Sequence, residues 1–176
     1  MPQELHGELD GRGVRIAIVA AKFSSEITDR LLARALQTLG DCGTDVERVP
    51  VARVPGSLEL AVVARKFARS GRYDAVLCIG CVIRGDTTHY DCVVNGATQG
   101  ITAVAAETGV PVIFGVLTCD TEEQAVARIE NGAYAARAAI EMANLMKKVG
   151  GRRQGTGDRN SRVRRGPQAA RRKPRR

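Results

Sequence analysis

From Val14 to Val149 short apolar runs alternate with stretches of helical spacing, and this alternation restricts the fold more than any other feature of the chain. "VRIAIVA" (Val14–Ala20) is a continuous β-rich run, as a strand buried on both faces requires. In "SSEITDRLLARALQTLG", Ile27, Leu31, Leu32, Ala35, Leu36 and Leu39 recur at helical spacing, with Ser24 or Ser25 as the cap and Gly40 as the stop. "VERVPV" (Val46–Val51) predicts a second, weaker strand, and Pro50, which cannot donate to a ladder, places it at an edge or a strand end. "GSLELAVVARKFARSG" predicts a helix and "YDAVLCIGCVI" (Tyr73–Ile83) the strongest strand. "YDCVVNGATQGITAVAAETG" predicts a helix whose glycines permit close packing, and "VPVIFGVLT" (Val110–Thr118) a fourth strand. "TEEQAVARIENG" and "AYAARAAIEMANLMKK" complete the pattern as helices.

Such alternation implies a parallel sheet with helices on both faces. Right-handed crossovers bring every strand C-terminus to one edge of the sheet, where ligands bind in folds of this kind. Four loops are therefore expected to build a site: Phe23 and Ser24, Gly56 to Glu59, Arg84 to His89, and the region after Phe114.

Charge divides the chain. Gly150 to Arg176 hold ten Arg, one Lys and one Asp, a net +10 against +8 for the whole, so the remainder is −2. The expected organisation is a mildly acidic body, residues 1–149, and a basic tail, residues 150–176, too poor in apolar residues to offset its ordering entropy. The full chain is 44% hydrophobic, enough for a core built from Val, Ile, Leu and Ala. No apolar run approaches the roughly 20 residues of a membrane helix, and "MPQELHGELDG" lacks the basic-then-apolar order of a secretory signal. Five scattered cysteines point to reduced thiols and a cytoplasmic location.

"GDTTHY" (Gly85–Tyr90) concentrates polar chemistry where the strongest strand gives way to a helix. A glycine turn at a helix start offers free amides and the positive end of the helix, which suits a phosphate. Thr87 and Thr88 add hydroxyls, Asp86 can turn its carboxylate to solvent, and histidine is the side chain best suited to proton transfer near neutrality. The same residues also fit an ordinary helix cap followed by a surface His89. "VPGSLEL" (Val54–Leu60) fits a turn capped by Ser57, with Glu59 complementing the helix dipole, and equally a polar ligand wall. Arg128 late in a short helix favours the C-terminal dipole without any ligand. Phe23 and Phe114, at strand ends, can stack on a planar ligand or close the core. In "CIGC" (Cys78–Cys81) the thiols lie three apart in a strand, so they face opposite ways and behave as small apolar fillers rather than a redox pair. The Cys and His positions offer no persuasive metal set.

Taken together, "AKFSSEIT", "VPGSLEL", "VIRGDTTHYD" and "VPVIFGVLT…EQAVAR…AIEMANL" resemble the lumazine synthase family, in order, from about Gly7 to Lys148. The resemblance implies a flavodoxin-like three-layer α/β/α sandwich with a four-stranded parallel sheet. It implies condensation of 5-amino-6-(D-ribitylamino)uracil with 3,4-dihydroxy-2-butanone 4-phosphate to 6,7-dimethyl-8-ribityllumazine, with water and phosphate released and no cofactor or metal. His89 then matches the catalytic histidine. Gly85, Asp86 and Thr87 match the phosphate loop, and Arg128 matches the phosphate-binding arginine. Phe23 matches the aromatic that stacks on the pyrimidine. Ser57, Leu58 and Glu59 match the ribityl-binding segment, and Cys81, Val82 and Ile83 the backbone that reads the ring. In the family Phe114 and Arg128 reach in from a neighbouring subunit of a pentamer, and in some members twelve pentamers form a shell of 60 subunits.

Two features depart from the family. "RIENGAYAARAAIEMANL" is shorter than the usual segment and lacks its Gly-Asn-Lys-Gly-like lysine, and the basic tail is unusual. The tail fits either a solvated extension or a non-specific, salt-sensitive contact with nucleic acid. Without an aromatic residue it is not suited to base stacking. A related archaeal-type riboflavin synthase, which would consume the lumazine, is the competing enzymatic reading.

Overall fold

The computed structural model describes residues 2–150. The basic tail, apart from Gly150, lies outside the described residues, and with it the expectation of a mobile extension. The elements alternate as the apolar runs require: β1 (Ile16–Ala21), α1 (Ser25–Asp41), β2 (Val51–Val54), α2 (Leu60–Arg69), β3 (Ala75–Ile83), α3 (His89–Thr108), β4 (Val112–Cys119), α4 (Glu122–Val126) and α5 (Asn131–Val149). The sheet is wholly parallel in the order β2-β1-β3-β4. Among the described residues no helix is long and apolar enough to cross a membrane.

Strand alternation sends side chains into two separate cores. On one face Ile16 and Ile18 of β1 with Leu77 and Ile79 of β3 meet α1, α4 and α5. On the other, Val19, Val76 and Val116 meet α2 and α3. Every residue of β1 is buried, which is why that strand reads as an unbroken apolar run rather than an alternating one. The two thiols of "CIGC" part as period two demands, Cys81 into the first core and Cys78 into the second. Burial pushes the Cys78 thiol up to about 12; burial, with Cys119 and Glu122 adding to it, pushes Cys81 up to about 11. Neither thiol is poised for redox chemistry near neutrality.

The second strand differs from expectation. Val46–Arg48 form a 3₁₀ turn, and the strand begins after the proline, at Val51. Pro50 has no amide to give, but its carbonyl accepts from Ile18 N–H at 2.9 Å and opens the ladder, so Val51 pairs with Ile18 and Val54 with Ala21. The edge position inferred from Pro50 is found.

α1 also starts differently. Ser24 occupies the cap position in the left-handed region (φ 54°) and its side chain makes no capping bond; its carbonyl accepts from Ile27 and Thr28 N–H. Thr28, buried, donates its hydroxyl to the Phe23 carbonyl at 3.1 Å. The helix runs one residue past Gly40, and the chain turns at Gly43 (φ 90°), a left-handed position that glycine takes without strain.

At the opposite edge of the sheet, Arg15 of the β1 approach and Asp74 before β3 form a three-bond pair. Asp74 accepts from Arg15 N–H at 2.9 Å, from Nε at 3.2 Å and from Nη2 at 2.7 Å. Burial alone would raise the Asp74 pKa, but the Arg15 bonds outweigh it and hold the carboxyl below its ordinary 3.8. A depressed folded-state value means the stabilisation is present above about pH 4 and is lost as pH falls through the folded value. With Arg15 half exposed, screening limits the pair to about 1 kcal/mol. Asp74→Asn should therefore lower stability by about that amount at pH 7 and by almost nothing near pH 2, measured by urea denaturation at each pH. An equal loss at both would show that packing, not the charge, matters at this position.

Candidate active site

The order β2-β1-β3-β4 reverses direction between β1 and β3, so the loops that leave these two strands, with the one leaving β2, surround a crevice at the sheet's C-terminal edge. A cavity of about 510 Å³ lies there. Ten of the thirteen residues singled out from the sequence line it: Phe23, Ser57, Leu58, Glu59, Cys81, Val82, Ile83, Gly85, Thr87 and His89. Gly56, at the start of the expected Gly56–Glu59 loop, with Pro55, Tyr90 and Val93, completes the wall.

Each side of the cavity has a local cause. Only Lys22, Phe23 and Ser24 separate β1 from α1. Lys22 and Phe23 amides donate to the Val54 and Pro55 carbonyls at 2.8 and 3.1 Å, so the turn is tied to the end of β2 while the Phe23 ring stands 73% exposed at the mouth. On the next side Gly56 precedes a 3₁₀ turn, Ser57–Glu59, and its N–H donates to Glu59 Oε2 at 2.8 Å. The expected Ser57 cap is thus replaced by Glu59 reaching back to the turn's start. Ser57 is instead buried, resting over β3 where Gly80 has no side chain: a Cβ on Gly80 would stand 2.8 Å from Ser57 Oγ. Leu58 and Ala61 meet the missing side chains of Gly96 and Gly100 on α3 in the same way, at 2.6 and 2.9 Å. The close packing read from the α3 glycines is this contact. Gly80→Ala should cost about 1–3 kcal/mol by overpacking and displace the Ser57 turn. Urea denaturation measures it, and an unchanged midpoint would mean the turn adapts freely.

The third side is the β3–α3 loop. Thr87 Oγ1 accepts from His89 N–H at 3.3 Å, and this fixes the first residue of α3. Among the described residues the amides of Gly85, Asp86, Thr87 and Thr88 donate to no protein acceptor. Four free amides at the start of a 20-residue helix make a place for an anion. His89 is exposed beside them and reaches the same cavity. Asp86 is exposed and outside the lining.

Phe114 and Arg128 also stand apart from the cavity. Phe114 is not at a strand end, as the sequence suggested, but inside edge strand β4, paired with Cys78. Cys78 lies three residues before Cys81, the first β3 residue of the cavity wall, so Phe114 sits about 10 Å short of the cavity at the usual strand rise. Arg128 lies just past α4 and donates Nη1 to the Gln124 carbonyl at 2.8 Å, the helix-end role its sequence position suggested. The segment after it turns at once into α5, held to α1 by an Arg34–Glu130 pair at 2.6 Å. No residue of it lines the cavity. Among the described residues no group of three or more His, Cys, Asp or Glu could hold a metal ion.

The architecture is thus a loop of free amides beside a histidine, facing an aromatic and a polar turn across one crevice. The sequence model of the family described as 6,7-dimethyl-8-ribityllumazine synthase matches residues 13–147, a span that holds every element of this crevice. A 6,7-dimethyl-8-ribityllumazine synthase of Salinibacter ruber is 49% identical over 156 residues, 86% of this chain and all of the relative. The chain belongs to the 6,7-dimethyl-8-ribityllumazine synthase family.

Proposed function

We propose that this chain is a lumazine synthase. It condenses the 5-amino-6-(D-ribitylamino)uracil amine with the ketone of 3,4-dihydroxy-2-butanone 4-phosphate to an imine with loss of water, eliminates phosphate, and closes the second ring with loss of a second water. The observation that carries this reading is the single cavity shared by His89, the free amides of the Gly85–Thr87 loop and the Phe23 ring. Phe23 stacks on the pyrimidine, Ser57, Leu58 and Glu59 hold the ribityl chain, and the backbone of Cys81, Val82 and Ile83 reads the ring edge. Gly85, Asp86 and Thr87 take the phosphate through their amides. His89 accepts a proton as the amine adds to the carbonyl and returns one as water leaves. Both reactants are intrinsically reactive, so orientation supplies much of the acceleration, several kcal/mol, and a single proton shuttle adds about 10²–10⁴-fold.

Purified protein given both substrates should develop lumazine absorbance, and lumazine alone should yield no riboflavin. Riboflavin formed from lumazine alone would move the chain to the synthase that consumes this product.

Phe114 and Arg128 complete the site of an adjacent subunit in a homo-oligomer, a pentamer or a 60-subunit shell of twelve. Arg128 suits the leaving phosphate because a guanidinium can hold two of its oxygens at once. The catalytic unit ends near Val149. The +10 tail binds nucleic acid without sequence preference through its charge, and clustering in an assembly strengthens that binding. Sizing the particle, with its absorbance ratio before and after truncation beyond Lys148, tests both. Unchanged nucleic-acid carry-over and salt sensitivity would remove the tail's role. The reduced thiols, Cys42, Cys78, Cys81, Cys92 and Cys119, support a cytoplasmic setting.

A further inference from the structure

Arg84 precedes the anion-binding loop and does not line the cavity, yet it joins three elements around it. Its N–H donates to the Cys119 carbonyl at 2.9 Å, carrying the β3–β4 ladder one step past the strand. Its Nε donates to Asp120 Oδ1 at 2.9 Å, at the exit of β4. Its Nη1 lies 3.4 Å from Asp91 Oδ1 in the first turn of α3. The guanidinium lies over the Tyr90 ring, with Cζ 4.0 Å from the centroid, and Tyr90 is part of the cavity wall. A planar guanidinium can bond along its edge and stack through its face at the same time; an ammonium cannot.

The arrangement has an electrostatic consequence. Asp91 and Asp120 are two carboxylates beside amides that would receive a dianion, and unpaired they would repel it. Arg84 contacts both.

We propose that Arg84 is a positioning residue for the phosphate-bearing substrate. It sets the pitch of the Gly85–His89 turn against β4 and Tyr90, and its single charge offsets one of the two negative charges of Asp91 and Asp120, without touching the phosphate itself. This rests on the reading of Gly85, Asp86 and Thr87 as the phosphate loop.

The test uses the full assembled chain, with R84M, R84K and R84M/D120N, and reads the KM of each substrate and the Ki of inorganic phosphate at low and high salt. R84M should raise the KM for the butanone phosphate and the phosphate Ki about tenfold at low salt, and less at high salt, where the released carboxylates are screened. The KM for the ribitylaminouracil should stay within about twofold, since that substrate carries no phosphate charge. R84K, which keeps the charge but loses the stack and the bridge, should fall between R84M and the parent. R84M/D120N should recover part of the loss, which a merely structural defect would not do. Competition by phosphate in the parent with an unchanged Ki in R84M, or an equal rise in both KM values, would overturn the assignment to Arg84. Absence of phosphate competition in the parent protein would overturn the phosphate-loop reading itself, and this proposal with it.

Discussion

His89→Ala should lower kcat by about 10²-fold or more, with both KM values little changed. The reason lies in where the ring stands. His89 is the first residue of a 20-residue helix, its amide is fixed by Thr87 Oγ1, and its side chain is exposed into the cavity rather than packed in a core. Alanine therefore removes a proton carrier without opening a void, and stability should shift by no more than about 0.5 kcal/mol. The residual rate reflects reactants that remain oriented by the cavity. Steady-state lumazine formation under substrate-limited conditions measures the effect, and a variant with full turnover would take His89 out of the mechanism.

Mixing two crippled variants should restore activity. Arg128→Ala alone should lower kcat/KM about 10- to 100-fold, the value of a lost hydrogen bond to a charged group. Within one chain Arg128 bonds the Gln124 carbonyl and lies outside the cavity that holds His89. If each working site takes His89 from one subunit and Arg128 from the next, a head-to-tail ring of equal parts His89→Ala and Arg128→Ala chains contains intact sites. With random assembly roughly one site in four carries both residues, so about a quarter of parental activity should return after the variants are unfolded and refolded together. A site built within one chain predicts no recovery, because every chain carries a defect. The measurement thus separates a shared site from a self-contained one without a structure of the assembly.

The same division runs through the site as read from sequence. Ten of its thirteen residues meet in one cavity because each ends or follows a strand whose C-terminus the parallel topology brings to the same edge. Phe114 was misplaced at a strand end, although the span Val110–Thr118 already centres that ring; the register with Cys78 fixes how far it stands from the cavity. Gly80, Gly96 and Gly100 were visible as glycines, but what they admit, Ser57, Leu58 and Ala61, lies far off in the chain. Arg84 was one more polar residue in a polar loop, and its partner Asp120 is 36 residues away.

By itself, then, the amino-acid order determined what depends on neighbours a few residues apart: the alternation of buried strands and amphipathic helices, hence a parallel sheet, and the edge where its loops converge. It also determined the opposite burial of Cys78 and Cys81, which period two alone dictates. Tertiary structure decided the start of β2 after Pro50, the left-handed Ser24, and the Arg84 clamp. Those depend on strand register and on contacts between segments distant in the chain, and such contacts are chosen by the packing of the whole, not by any local pattern.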